Sequence, residues 1–166
     1  MAINYYSNFS SFIKGTSRLK FILITLVLTY ILPLIFLLPF FTFGIYDMHI
    51  KERNNINSMG VFLMFLFAVV IAPIYETIIY QVIPYHILKK SHFLFRNKWL
   101  IIVIPSLLFG IIHWYSLYYI IYAFATGLAL MAAYTARIET DKKTIILIIA
   151  VHMIKNIIAF SIDAVA

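Results

Sequence analysis

From residue 99 to residue 136 the chain runs for 38 residues without a lysine, arginine, aspartate or glutamate. As one helix this stretch would extend about 57 Å at 1.5 Å per residue, nearly twice the roughly 30 Å hydrocarbon core of a bilayer. It therefore reads as two membrane spans, residues 99–115 and 117–136. The break falls in H-W-Y-S, residues 113–116, where Trp114 and Tyr115 suit a membrane interface. Three further apolar runs, residues 21–46, 59–88 and 144–162, are long enough to cross, the second interrupted by Glu76 and the third by Lys155. In lipid every backbone polar group must be satisfied within the segment, which leaves helices or closed barrels. Runs of this length specify helices, so the expected fold is all-α, a polytopic membrane bundle of five spans. Charged residues make up 11% of the chain, against about 25% in soluble domains.

Residues 1–20 are polar and aromatic and read as a cytoplasmic interfacial lead-in, and residues 21–162 as one transmembrane domain. The run at 21–46 exceeds a signal-peptide core of about 7 to 15 residues and reads as an uncleaved span. Pro33 and Pro39 are expected to kink it. The run at 59–88 is about 45 Å long as a helix, so it must tilt, kink or leave the membrane near Pro84. The net charge of +7 comes from clusters in the connections, which are topology signals; nucleic-acid binding is not expected. Basic residues concentrate before residue 21, in residues 89–98 and in residues 137–143, whereas the connection at 47–58 holds only Lys51 and Arg53. The positive-inside rule then puts the N-terminus in the cytoplasm and the C-terminus outside, in a multi-pass cell-membrane protein. The absence of cysteine excludes disulfides, thiolate ligands and a cysteine nucleophile.

Four polar side chains fall inside three spans at similar depth: Glu76, His113, His152 and Asn156. Counted at about 1.5 Å per residue from the cytoplasmic ends, they share a layer a turn or two thick. His152 and Asn156 are four residues apart and share a helix face, as do Phe109 and His113. Each residue alone has an ordinary reading: Glu76 as a structural or ion-path carboxylate, His113 as a satisfied core histidine, Asn156 as interhelical glue. Together they offer a general base (Glu76), its assistant (His113), and N–H donors for an oxyanion (His152 and Asn156) in a water-poor layer. That combination points to hydrolysis of a peptide bond within the membrane. His49, His86 and His92 lie in connections or at span ends and read as interfacial.

These segments resemble the CPBP intramembrane proteases, the family of type II CAAX prenyl endopeptidases and Abi-like bacteriocin-processing or immunity proteins. P-I-Y-E-T-I-I-Y-Q is similar to the family's E-E-x-x-x-R motif, P-S-L-L-F-G-I-I-H matches F-x-x-x-H at Phe109 and His113, and H-M-I-K-N matches H-x-x-x-N at His152 and Asn156. The resemblance covers about residues 61–160. It implies that Glu76 and His113 activate water and that His152 and Asn156 support the oxyanion. It also implies a glutamate-type mechanism with no cofactor, zinc at Glu76, His113 and His152 being the alternative. The expected partners are membrane lipid and a membrane-associated or leader-peptide substrate. The chain departs from the family at Thr77 and Gln81, which stand where the motif has a glutamate and an arginine. Those positions are four apart, the spacing of a helical ion pair, so the resemblance implies that both partners of such a pair have been replaced by neutral groups. Lys155, beside Asn156, is expected either to pair with Glu76 in the arginine's place or to lie in a hydrated vestibule. Two functions follow: an intramembrane endopeptidase, or a catalytically impaired relative acting as a bacteriocin immunity or membrane scaffold protein. A proton or ion carrier built on Glu76 and Lys155 is a third.

Overall fold

The computed structural model describes residues 2–42 and 60–165. The expected connection at 47–58, with His49, Lys51 and Arg53, lies outside the described residues, as do the end of the first expected span at 43–46 and residue 59. The chain is helical: α1 (Ala2–Lys14), α2 (Arg18–Thr42), α3 (Val61–Leu88), a short α4 (His92–Arg96), α5 (Lys98–Ile112), α6 (Leu117–Arg137) and α7 (Thr144–Val165). The architecture is thus an all-α membrane bundle. By length and apolarity α2, α3, α6 and residues Thr144–Ile162 of α7 can each cross a bilayer. Helix α5 has 15 residues, about 22 Å, and ends short of a full crossing.

Helix α6 is the centre. It touches α1, α2, α5 and α7, and its buried positions are mostly small: Ala123, Ala125, Gly127, Ala129, Ala133 and Ala136. Apolar helices gain little from water exclusion when they meet in lipid, so close backbone approach through small residues supplies the van der Waals contact. The α5–α6 seam is the tightest example. A Cβ on Gly110 would lie 2.8 Å from Phe124 Cβ and 2.9 Å from the Ile120 carbonyl oxygen, and one on Gly127 would lie 3.1 Å from the Phe109 ring.

Helix α1 gives the lead-in a defined structure. Tyr6, Phe9, Ser10 and Ile13 fall at helical spacing on one side, and Ile13 is fully buried. Tyr6 donates to Thr135 Oγ1 at 3.0 Å and Ser10 to the Ala136 carbonyl at 3.2 Å, fixing α1 along the end of α6. The basic connections meet at this end of the bundle: Arg18 pairs with Asp141 at 3.3 Å and Lys89 with Glu139 at 3.2 Å. Arg137 also donates to the Thr16 carbonyl at 3.0 Å and lies over the Phe21 ring.

Helix α2 continues through Pro33 and Pro39, and α3 continues through Pro73 and Pro84 to Leu88. In α3 the accommodation is visible. Residues Leu66–Ile71 and Ile78–Val82 are π-helical, each just before a proline-containing α segment. Proline lacks an N–H and its ring clashes with the carbonyl four residues earlier; a widened turn removes the clash, and such bulges concentrate at functional sites. The intervening segment, Ala72–Thr77, carries Glu76.

Candidate active site

Glu76 lies between two histidines from different helices. His152 Nε2, on α7, is 3.3 Å from Glu76 Oε2, and His113 Nε2, at the end of α5, is 4.0 Å from Oε1. The imidazoles approach opposite oxygens of one carboxylate. His152 is 3% exposed and fixed by α7, while His113 and Glu76 are partly exposed towards a cavity of about 260 Å³.

The position of His113 follows from the shortness of α5. The helix stops at Ile112, residue 113 leaves helical geometry (φ −92°, ψ 46°), and α6 starts after Ser116, whose hydroxyl accepts from the Tyr119 N–H at 3.1 Å. Non-helical backbone at membrane depth is tolerated where it lines a cavity, and His113 and Tyr115 both line this one. The last carbonyls of a helix lack intrahelical donors; here His113 Nδ1 meets the Phe109 carbonyl oxygen at 2.6 Å. Because a carbonyl can only accept, Nδ1 carries the proton, and in the neutral ring Nε2 is left as an acceptor facing Glu76.

Phe109 explains why an aromatic residue stands four positions before this histidine. It is 3% exposed, its ring centroid is 4.6 Å from that of His113 and 6.0 Å from that of His152, and Tyr80 packs edge-on at 5.7 Å. One ring therefore sets the spacing of both imidazoles.

Asn156 is committed to the backbone of α3, donating from Nδ2 to the Ala68 carbonyl at 2.8 Å. The acceptor is free for a local reason. In the π-helical register the Ala72 N–H reaches the Phe67 carbonyl, so the next carbonyl, that of Ala68, falls to Pro73, which has no N–H. The asparagine side chain replaces the missing donor and ties α7 to α3 about two turns before Glu76. Sequence reasoning placed this amide at the oxyanion; Pro73, three residues before Glu76, is the signal that a carbonyl nearby needs a partner.

Thr77 and Gln81 are fully buried, 0% and 1% exposed, and Thr77 Oγ1 and Gln81 Oε1 have no hydrogen-bond partner among the described residues. Their neutral side chains are packed into the bundle beside the site and do not line its cavity. The expected ion pair between Lys155 and Glu76 is not formed within 4.0 Å. The Lys155 ammonium lies 4.6 Å from the centroid of the Tyr122 ring, in the cavity wall, and the residue is 6% exposed. Helix α6 spaces Tyr119 and Tyr122 one turn apart, and the ring of Tyr122 offers the cation a π face where lipid offers none.

The zinc alternative does not fit. Among the described residues no group of three histidines, cysteines or carboxylates is placed to hold a metal ion. Tetrahedral zinc with bonds of about 2.0 to 2.1 Å needs donors converging on one point, whereas His113 and His152 address different oxygens of Glu76.

The site is thus a partly exposed carboxylate between two imidazoles, beside a cavity in a multi-pass helical bundle. The family model described as type II CAAX prenyl endopeptidase Rce1-like matches residues 58–158, and the chain belongs to that family. The matched region runs from the start of α3 into α7 and contains Glu76, Phe109, His113, His152 and Asn156. Comparison with curated proteins and with solved structures gave no match. At family level the chain is a CAAX-type membrane protease acting on peptide substrates.

Proposed function

We propose that this protein is an intramembrane endopeptidase of glutamic type, in which Glu76 and His113 activate water to hydrolyse a peptide bond of a membrane-associated or leader-peptide substrate. The observation that carries the reading is the His113 tautomer: Nδ1 is bonded to the Phe109 carbonyl, and Nε2 faces Glu76 Oε1 across 4.0 Å. Two proton acceptors at that separation suit one water. An oxygen about 2.8 Å from each would subtend an angle of about 90°, near the H–O–H angle, so both hydrogens are held while a lone pair faces the substrate.

In this mechanism the water oxygen bonds to the scissile carbonyl carbon and one of its protons passes to Glu76, while His113 Nε2 holds the other. The carbonyl electron pair moves onto oxygen. Asn156 spends one amide hydrogen on Ala68 and retains a second for this oxyanion. Collapse breaks the C–N bond, and the departing amine takes the proton from Glu76. His152 orients the carboxylate through Oε2. No cofactor enters any step.

The positive-inside distribution supports a cytoplasmic N-terminus and an outer C-terminus, and the contacts of Arg18 with Asp141 and Lys89 with Glu139 gather the basic connections at one face. A second reading, a non-catalytic relative that binds peptide as a bacteriocin immunity or scaffold protein, is favoured by one observation, the neutral pair Thr77 and Gln81. Cleavage of a candidate substrate in reconstituted membranes by the native chain, Glu76→Gln and His113→Ala distinguishes the two. Processing that survives Glu76→Gln rules out the endopeptidase reading.

A further inference from the structure

The end of the bundle where α1 packs carries more cations than its own carboxylates neutralise. Asp141 is taken by Arg18 and Arg137, each at 3.3 Å, and Glu139 by Lys89 at 3.2 Å. Lys14 and Lys98 have no carboxylate within 4.0 Å among the described residues. Packing brings these two lysines to one place. Ile13 of α1 and Ile101 of α5 are buried in a single apolar cluster, with Leu94 of α4 packed against it. Lys14 follows Ile13 directly and Lys98 stands one turn before Ile101, so both lie at the rim of that cluster. The Lys98 ammonium is 3.8 Å from the centroid of the Phe95 ring. Burial lowers the pKa of Lys98; Glu139 opposes that shift and the charge of Lys14 adds to it. Lys98 is a partly buried cation short of counter-charge.

We propose that Lys14 and Lys98, with the Phe95 ring against the Lys98 ammonium, form a headgroup site for an anionic phospholipid at the start of α5. Position and charge both favour lipid. The two lysines stand at helix ends of a membrane bundle, among the exposed side chains of Phe12, Phe93 and Trp99, and aromatic residues concentrate at the level of the headgroups. Helix α4 sets this rim: the Ser91 hydroxyl accepts from the Leu94 N–H at 3.4 Å, and Leu94 turns inward while Phe93 and Phe95 stay exposed. Basic pockets between helices at a membrane surface suit phosphate-bearing headgroups. A zwitterionic headgroup cancels its phosphate charge within itself, so the lysines select lipids that carry a net negative charge. The site also bears on the depth of the candidate active site. Helix α5 is about 22 Å long and His113 follows its last residue, so a headgroup held at Lys98 fixes the end of the helix from which that depth is measured. The inference is independent of the endopeptidase reading.

The chain has two tryptophans, one near each end of α5, and each reports its lipid neighbours by contact quenching. Full-length Trp114→Phe protein, with Trp99 as reporter, is reconstituted in phosphatidylcholine containing equal mole fractions of either phosphatidylglycerol or phosphatidylcholine brominated in one acyl chain. The brominated phosphatidylglycerol is expected to quench with an apparent affinity at least about threefold higher. Adding Lys14→Gln/Lys98→Gln should bring the two lipids within about 1.5-fold of each other. Lys142→Gln/Lys143→Gln removes the same charge from the turn between α6 and α7 and should leave the preference standing. Trp99→Phe protein, which reports from Trp114, should show no preference. Equal quenching of Trp99 by the two lipids overturns the site, and this comparison needs no substitution at either lysine. A preference that survives Lys14→Gln/Lys98→Gln also overturns it. So does a preference that falls equally with Lys142→Gln/Lys143→Gln or appears equally at Trp114, since the charge of the whole face would then account for it. Loss of the preference on adding inorganic phosphate at constant ionic strength would assign the lysines to a soluble anion and reject the lipid.

Discussion

Asn156 and Pro73 are coupled through an atom that belongs to neither: the Ala68 carbonyl, deprived of a backbone donor by the proline, accepts the asparagine amide at 2.8 Å. The motif asparagine is therefore also a structural tie between α7 and the helix that carries Glu76. Removing it leaves a carbonyl without a donor in a low-dielectric bundle, a loss of about 1 kcal/mol or somewhat more. We expect Asn156→Ala to lower the unfolding midpoint in detergent. In a Pro73→Ala background, where residue 73 regains an N–H for Ala68, the same change should cost less. Equal costs in the two backgrounds, measured by a double-mutant cycle, would dissociate the pair.

For the chemistry, Glu76→Gln preserves shape and removes the base, so processing should fall by about a hundred- to ten-thousand-fold. His113→Ala should fall by a similar factor. Because the two groups act on one water, the double variant should be little worse than either single one. Single-turnover rates on one reconstituted substrate provide the comparison, and a multiplicative loss would place the residues in separate steps.

The all-α membrane fold was legible because charge-free runs of this length admit little else, and the family was legible from three short motifs on separate helices. The polar layer could be anticipated from helical rise, since rise alone sets depth. What remained hidden depends on backbone register or on the face a long side chain selects. The π-helical turns before Pro73 and Pro84 have no propensity signature; they arise where a proline must fit inside a packed helix. Of the two placements expected for Lys155, a pair with Glu76 or a hydrated vestibule, the first is not formed: its ammonium lies on the Tyr122 ring of α6 in the cavity wall, and sequence spacing does not reveal that meeting. The helix at residues 2–14 did leave a trace, since Tyr6, Phe9, Ser10 and Ile13 recur at three- and four-residue intervals, a pattern outweighed by the polar residues between them.

The motif departure at Thr77 and Gln81 leads to an asymmetric expectation. Both side chains are buried, so Thr77→Glu or Gln81→Arg alone places an uncompensated charge in the bundle and should cost about 3 to 5 kcal/mol. Together the two substitutions supply each other's counter-charge. The double variant should recover much of that loss in membrane extraction and thermal stability. Additive destabilisation would show that the segment no longer accommodates an ion pair.

Close packing at the α5–α6 seam makes Gly110 sensitive to a single methyl group. A Cβ there meets Phe124 Cβ at 2.8 Å and the Ile120 carbonyl at 2.9 Å, neither of which is the end of a flexible chain. Gly110→Ala should therefore destabilise by about 1 to 3 kcal/mol and shift His113, which follows three residues later. Gly60→Ala is the control, with nothing among the described residues within 4 Å of the added carbon. Similar unfolding midpoints for the two variants would contradict the close approach.

At the end of the bundle where α1 packs, Glu139 Oε1 accepts from the Tyr85 hydroxyl at 2.6 Å and from Lys89 at 3.2 Å. These bonds, that of Tyr85 foremost, hold the Glu139 carboxyl below its ordinary range. A carboxylate whose folded pKa is depressed contributes stability that is complete above its unfolded value, about 4.3, and is lost as pH falls through the lower folded value. Glu139 is about half exposed, so solvent screens the pair and the effect is modest. Glu139→Gln should lower the unfolding midpoint at pH 7, and the gap between variant and native protein should close as pH falls from about 5 towards 3. A gap that is independent of pH over that interval would mean that the Tyr85 contact acts through packing and not through the charge of Glu139.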